Sequence, residues 1–279
     1  MTINTLLTGS ELILLVGESS LIRVAFFLLI WLITWLPLAI PLAKMLEWRI
    51  QDPLETEQKL PLIASLYLIA PGIVWGAIKI DQSSWSNCGV KLAPEFFLWF
   101  LLGIIIAILG LALLLSLENY LNWLEWLPEN LPNLGKIALP ILTISIGIGL
   151  IEELVFRGWM LWELQKEYNY WMAGAIASVI FALLHLLWER KKTIPQLPGL
   201  WLMGMVLVQA RLTANDTIAL AWGLHSGWIW VLASVSSAEL ISYKDNLVSP
   251  WIIGFFREPL AGLIGISLLL GTGMICYLI

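Results

Sequence analysis

Five ionisable side chains lie where their neighbours leave them little water. Glu152, Glu153 and Arg157 occur in GIGLIEELVFRGW, His185 in FALLHLLW and His225 in AWGLHSGWIW. Charge in hydrocarbon is costly, and such residues usually face a protein interior or a wet cavity. Glu153 and Arg157 are four apart with the acid first, the better order for a helical pair, so each is expected to compensate the other. Glu152 points about 100° away on a helix of about 3.6 residues per turn. It needs a partner from another element, or it stays protonated. The chain has only two histidines, and both fall in apolar stretches. A lone histidine there is commonly a packing residue; two, with a spare carboxylate, point to a shared polar site.

Three chemistries are open to Glu152, His185 and His225. A carboxylate tuned by burial takes a proton from water for attack on a carbonyl. Two His and one Glu bind zinc with a fourth position left for water. A chain of such groups relays protons in a transporter. Spacing alone does not choose among them. HExxH, GxSxG, CxxC and phosphate-loop patterns are absent. Ser145, Ser178 and Ser226 read as small packing positions, which leaves a serine nucleophile without a structural rationale.

The elements that position these residues are transmembrane helices. Of the 279 residues, 59% are hydrophobic and 13% charged, whereas a soluble domain carries about 45–50% and about 25%. Helices are the expected elements, because lipid leaves no backbone group free to stay unpaired. Stretches of roughly 20 residues occur at 21–46, 60–80, 95–117, 137–165, 168–188, 196–213, 216–235 and 259–279. The fold expected is all-α, a polytopic bundle of about eight transmembrane helices forming a single membrane domain over 1–279. The fourth stretch is too long for a simple crossing. Segments 81–94 and 118–135 mix Trp with acids and prolines and read as surface-lying, as does 1–19; 236–258 reads as a re-entrant or interfacial hairpin. The 17 tryptophans suit the headgroup zone.

Lys44, Arg49, Lys59, Lys136, Arg190, Lys191, Lys192, Lys244 and Arg257 fall on one side of this topology, and Arg23, Lys79, Lys91, Lys166 and Arg211 on the other. The positive-inside rule places the first group in the cytoplasm. A net charge of −5 with no basic stripe argues against a nucleic-acid partner. Cys88 and Cys276 form no disulfide framework or metal motif. The N-terminus lacks a basic region and a small-residue cleavage site, so a removable signal peptide is not expected.

The order Glu152-Glu153-xxx-Arg157, then Phe181-xxx-His185, then a late intramembrane His225, resembles the CPBP intramembrane protease family, the CAAX proteases and bacteriocin-processing enzymes also called Abi. The resemblance covers about 140–235, within a catalytic-type core at 137–235, and the stretch GMVLVQARLTANDTIALAWGLHSGW also looks like the family's approach to its third motif. It implies hydrolysis of a peptide or membrane-protein substrate by water held between Glu152 and His185, with Glu153 and Arg157 supporting Glu152 and His225 stabilising the oxyanion. Family members are described both as metalloproteases and as metal-independent glutamate proteases. The metal-independent form is expected here; Glu152, His185 and His225 are the ligands in the alternative with a divalent ion such as zinc. Four residues after His225 the family usually has Asn or another polar residue, whereas this chain has Ile229, which cannot donate a hydrogen bond. The Trp-rich HSGW ending resembles a photosynthetic-lineage branch. That sets a protease-like scaffold or assembly factor for a membrane-protein complex beside the peptidase reading, and the thylakoid beside the plasma membrane. A proton-coupled transporter is the third reading.

Overall fold

A computed structural model of the chain describes residues 19–48, 56–187, 190–244 and 248–279. Its elements are α1 (Ser20–Met45), α2 (Thr56–Ile80), α3 (Pro94–Tyr120), β1 (Leu124–Trp126), α4 (Leu131–Glu152), a π-helical segment (Glu153–Met160), α5 (Leu161–Leu164), α6 (Tyr170–Leu184), α7 (Arg190–Thr193), α8 (Leu197–Thr213), α9 (Ala219–Ser237), β2 (Ile241–Tyr243), α10 (Pro250–Ile253) and α11 (Leu263–Leu278). The architecture is that of an all-α, multi-pass membrane protein.

A helix coincides with each of the eight expected spans, and among the described residues five of them are long and apolar enough to cross a membrane. These are Ser20–Met45, Glu57–Ile80, Pro94–Tyr120, Pro128–Leu164 and Tyr170–Leu187. α8 and α11 have 17 and 16 residues, short of the roughly 20 that span hydrocarbon. α9 has 19 residues, but Trp, Gly, Ser and His dilute its hydropathy. The segments expected to lie on the surface are more ordered than that. β1 pairs antiparallel with β2, Leu124 opposite Tyr243 and Trp126 opposite Ile241, so 118–135 and 236–258 are joined in one ribbon. The expected surface stretch 1–19, apart from Ser19, and Arg49 lie outside the described residues.

Two contacts fix α9, which carries His225. Against α3 it packs backbone to backbone. A Cβ added at Gly223 would strike the Phe100 carbonyl, and one at Gly227 would come within 2.6 Å of Ala107 Cβ. Small residues four apart let helices approach where lipid supplies no hydrophobic drive. Against α4, which runs antiparallel, the indole N–H of Trp222 donates to the Ile146 carbonyl at 2.9 Å and that of Trp230 to the Ala138 carbonyl at 2.8 Å. Nearer the end of α4, Gly149 faces Ser226. These contacts bring the end of α4 beside His225.

The long fourth helix is not uniform. After Glu152 the backbone widens into eight residues of π-helix, all buried, and π turns occur often at functional sites. Arg211, only 3% exposed, secures this segment. Its Nη1 donates to the Arg157 carbonyl and, at 3.1 Å, to the Gly158 carbonyl, while Nη2 donates to the Asn87 carbonyl at 3.1 Å. Arg211, grouped by sequence with Arg23, Lys79, Lys91 and Lys166, is not an exposed cation but an internal brace for the π-helix. Gly158 is needed beside it, because a Cβ there would lie 2.9 Å from the Cys88 carbonyl. Both cysteines are free and buried, and burial pushes the Cys88 thiol up to about 11.

The next turn is tied by charge. Arg23 of α1 pairs with Asp81 and lies 3.1 Å from Glu163, and Lys166 is 2.7 Å from Glu163. Glu163 is fully buried, and each of its oxygens faces one cation, so only the loss of both would leave an uncompensated buried carboxylate.

Two substitutions test this account. Gly223→Leu should cost at least about 1–3 kcal/mol by overpacking, whereas Gly147→Ala, with nothing within 4 Å of the added carbon, should be neutral or up to about 1 kcal/mol stabilising. Thermal unfolding in detergent reads both. Arg211→Met should cost about 2–4 kcal/mol, because it strands buried carbonyls; a melting temperature equal to that of the parent would remove Arg211 from this role.

Candidate active site

The site is built on Glu153. Its side chain is completely buried, and one oxygen, Oε1, accepts two hydrogen bonds. Arg157 Nη1 donates at 2.9 Å and His225 Nδ1 at 2.7 Å. Because a carboxylate oxygen only accepts, the proton between them belongs to Nδ1 of His225. The Arg157 guanidinium, 1% exposed, also lies over the ring of Phe181, 4.4 Å from its centroid. A buried cation with a paired anion beneath it and an aromatic face beside it has its charge met from two directions.

With Nδ1 protonated and given to Glu153, Nε2 is the remaining nitrogen of His225. That atom is 3.4 Å from Oε2 of Glu152. The other oxygen of Glu152, Oε1, accepts a hydrogen bond from the hydroxyl of Tyr67 on α2. Glu152 thus has no charged partner on its own helix, as its angular position requires, and finds its partners on α2 and α9. The two adjacent glutamates, which point apart, meet opposite sides of one imidazole.

His185 stands at the end of α6, half-buried. Its Nδ1 donates to the Phe181 carbonyl at 2.8 Å, which again leaves Nε2 as the acceptor when the ring is neutral. The ring of Phe181 has its centroid 4.5 Å from that of His185 and 6.1 Å from that of His225. Among the described residues, His185 makes no hydrogen bond or ion pair with Glu152 or His225. The ring of Phe181 stands between the two histidines instead. Ile229 lies one turn after His225 on α9, partly buried, and brings no polar atom there. Ser178 and Ser226 lie against Gly204 and Gly149, in the positions of packing residues.

A two-His, one-Glu zinc site needs three donors around one point, each about 2.0–2.2 Å away. Glu152 Oε2 and His225 Nε2 are spaced much as two neighbouring ligands would be, but His185 does not join them. Among the described residues no group of three His, Cys, Asp or Glu side chains could hold a metal ion. The arrangement does not fit zinc.

Sequence reasoning missed Tyr67 and Arg211. Tyr67 had a weak signal, as a hydroxyl placed within the apolar run LIASLYLIAPG. Arg211 had none, because a cation near a helix end reads as snorkelling to the interface.

No curated protein and no solved structure matches the chain. Residues 134–231 match the family model described as Rce1-like, type II CAAX prenyl endopeptidase. The matched stretch contains Glu152, Glu153, Arg157, Phe181, His185, His225 and Ile229, and it is consistent with a CPBP/CAAX intramembrane protease family.

Proposed function

We propose that the protein is an intramembrane endopeptidase of the CAAX type, with Glu152, His185 and His225 as its catalytic residues and 137–235 as the catalytic-type core of a single membrane domain. The observation that carries this reading is the imidazole of His225 held between two carboxylates, Glu153 on Nδ1 and Glu152 facing Nε2. A structural ion pair needs one acid for Arg157; here a second acid and a second base surround it at low exposure.

In this mechanism Glu152 Oε2 takes a proton from water as the water oxygen adds to the scissile carbonyl carbon. His185, with its Nε2 lone pair, orients that water by accepting its second hydrogen. The carbon–nitrogen bond then breaks, and the proton on Glu152 passes to the departing amine. Products are a carboxylic acid and an amine. To act on the oxyanion, His225 must donate from Nε2, which requires the imidazolium. Glu153 on Nδ1 stabilises that positive charge, much as a buried carboxylate supports the imidazolium of a catalytic triad. The substrate is a peptide segment reached from the membrane, and the face bearing Arg190, Lys191 and Lys192 is cytoplasmic by the positive-inside rule.

One observation favours a second reading, a protease-like scaffold in a membrane complex. Ile229 is apolar where the family usually supplies a donor, and losing an oxyanion donor costs about 10²–10³ in rate.

Glu152→Gln keeps shape and removes the base. It should lower cleavage of a membrane-embedded CAAX-type peptide by at least about 10²-fold, with an unchanged melting temperature; cleavage at the parent rate would leave the scaffold in front. Ile229→Asn should raise turnover about ten-fold or more if a missing donor limits the enzyme. In a scaffold, neither parent nor variant cleaves, and a co-purifying partner survives Glu152→Gln.

A further inference from the structure

Tyr67 is the polar side chain that reaches Glu152 from outside the matched stretch 134–231. It comes from α2, and its neighbours show that its placement is held. α1 sends two indoles to the adjoining residues. Trp31 Nε1 donates to the Leu66 carbonyl at 3.0 Å, and Trp35 Nε1 donates to Ser65 Oγ at 2.9 Å. Both bonds fall on the two residues that precede Tyr67, so they fix the rotation of α2 about its axis where the hydroxyl must point inward. Pro71, inside α2, has no N–H to give the Tyr67 carbonyl, and the helix is free to bend at this turn. Below it, Val74 and Ile78 are buried in the core, and Asp81 is paired with Arg23. The turn bearing Tyr67 is therefore anchored from α1 above the proline and by packing and charge below it.

We infer that Tyr67 is a positioning residue for Glu152: its hydroxyl occupies Oε1 and so directs Oε2 toward His225 as the working oxygen. The catalytic consequence rests on the proposed function, while the positioning itself does not. A carboxylate with both oxygens free turns about its terminal torsion, which is broad for this bond. A donor on one oxygen removes that freedom and leaves a single oxygen in register with Nε2. Orientation of a reacting group within about an ångström matters for rate, so the hydroxyl acts through Glu152 without touching substrate.

The test uses Tyr67→Phe in the full-length protein, reconstituted in lipid, with two readouts. A hydrophobic carbodiimide forms a stable acylurea on membrane-embedded carboxylic acids, and mass spectrometry locates it. Glu118 is the internal reference, because it is a second buried carboxylate that accepts from a tyrosine hydroxyl, Tyr243 at 3.1 Å, away from the site. Tyr67→Phe should raise labelling of Glu152 relative to Glu118 by about five-fold or more, since Oε1 loses its donor. The double change Trp31→Phe with Trp35→Phe should raise it in the same direction by a smaller factor. In cleavage, Tyr67→Phe should lower kcat about 10- to 100-fold, with KM within about two-fold of the parent. A Glu152-to-Glu118 labelling ratio unchanged by Tyr67→Phe, in protein of parental melting temperature, overturns the proposal. A raised ratio in a protein whose parent cleaves nothing upholds the positioning and defeats the protease reading instead.

Discussion

One carboxylate oxygen, Oε1 of Glu153, accepts from both Arg157 and His225, and the arrangement of the surrounding helices follows from keeping that oxygen satisfied. Three ionisable groups at almost zero exposure are each expensive to bury alone. Together they tolerate burial only if the π-helical segment that carries Glu153 and Arg157 stays beside α9 and if Phe181 of α6 stays over the guanidinium. The same oxygen decides what His225 can do. By holding the proton on Nδ1 it sets Nε2 to face Glu152, and it supplies the negative charge that an imidazolium would need. The ion pair with Arg157 and the placement of His225 are in this way one object.

Close helix approach is what makes the pairing possible. His225 is two residues from Gly223 and two from Gly227, the positions at which α9 meets α3 with no side chain between. Large side chains there would move the imidazole outward by more than a hydrogen bond tolerates. On the other flank the indoles of Trp222 and Trp230 are donors to α4 carbonyls. Tryptophan in this chain is thus a fastener as well as an interfacial anchor: one face fills volume and one N–H finds a carbonyl. The π-helix carries a matching requirement. Its carbonyls at Arg157 and Gly158 are taken by Arg211, so a cation that looks peripheral in sequence supports the backbone beneath the site.

What could be read from the sequence follows the range of the interactions. Helix placement rests on local composition, and a helix lies at each of the eight expected stretches; the number that qualify as crossings does not, because lengths near the threshold depend on where neighbours end each helix. The Glu153–Arg157 pair was legible because both partners lie on one turn of one helix. That Glu152 needs a partner elsewhere was legible too, from its angular offset. Which groups would meet it was not, since Tyr67 is 85 residues away and nothing local distinguishes its hydroxyl from an interfacial one. The π-helix escaped for a related reason: the residues 153–160 have ordinary helical patterning, and their wider turn is stabilised by an arginine from α8.

The stretch that matches the Rce1-like family carries both glutamates, both histidines and Arg157, but not everything that holds them in place. α1 and α2 lie outside it, and they bring Tyr67 to Glu152, Trp31 and Trp35 to the turn of α2 beside Tyr67, and Arg23 and Asp81 to the buried charges beyond the π-helix. A carboxylate in a dry interior is defined by its donors as much as by its own position. The chemistry available to Glu152 is therefore shared between the matched core, which sets its distance to His225, and the two preceding helices, which set which of its oxygens faces that histidine. Ile229 lies on the core side of this division. It brings no polar atom one turn beyond His225, whose two nitrogens face Glu152 and Glu153 on opposite sides of the ring.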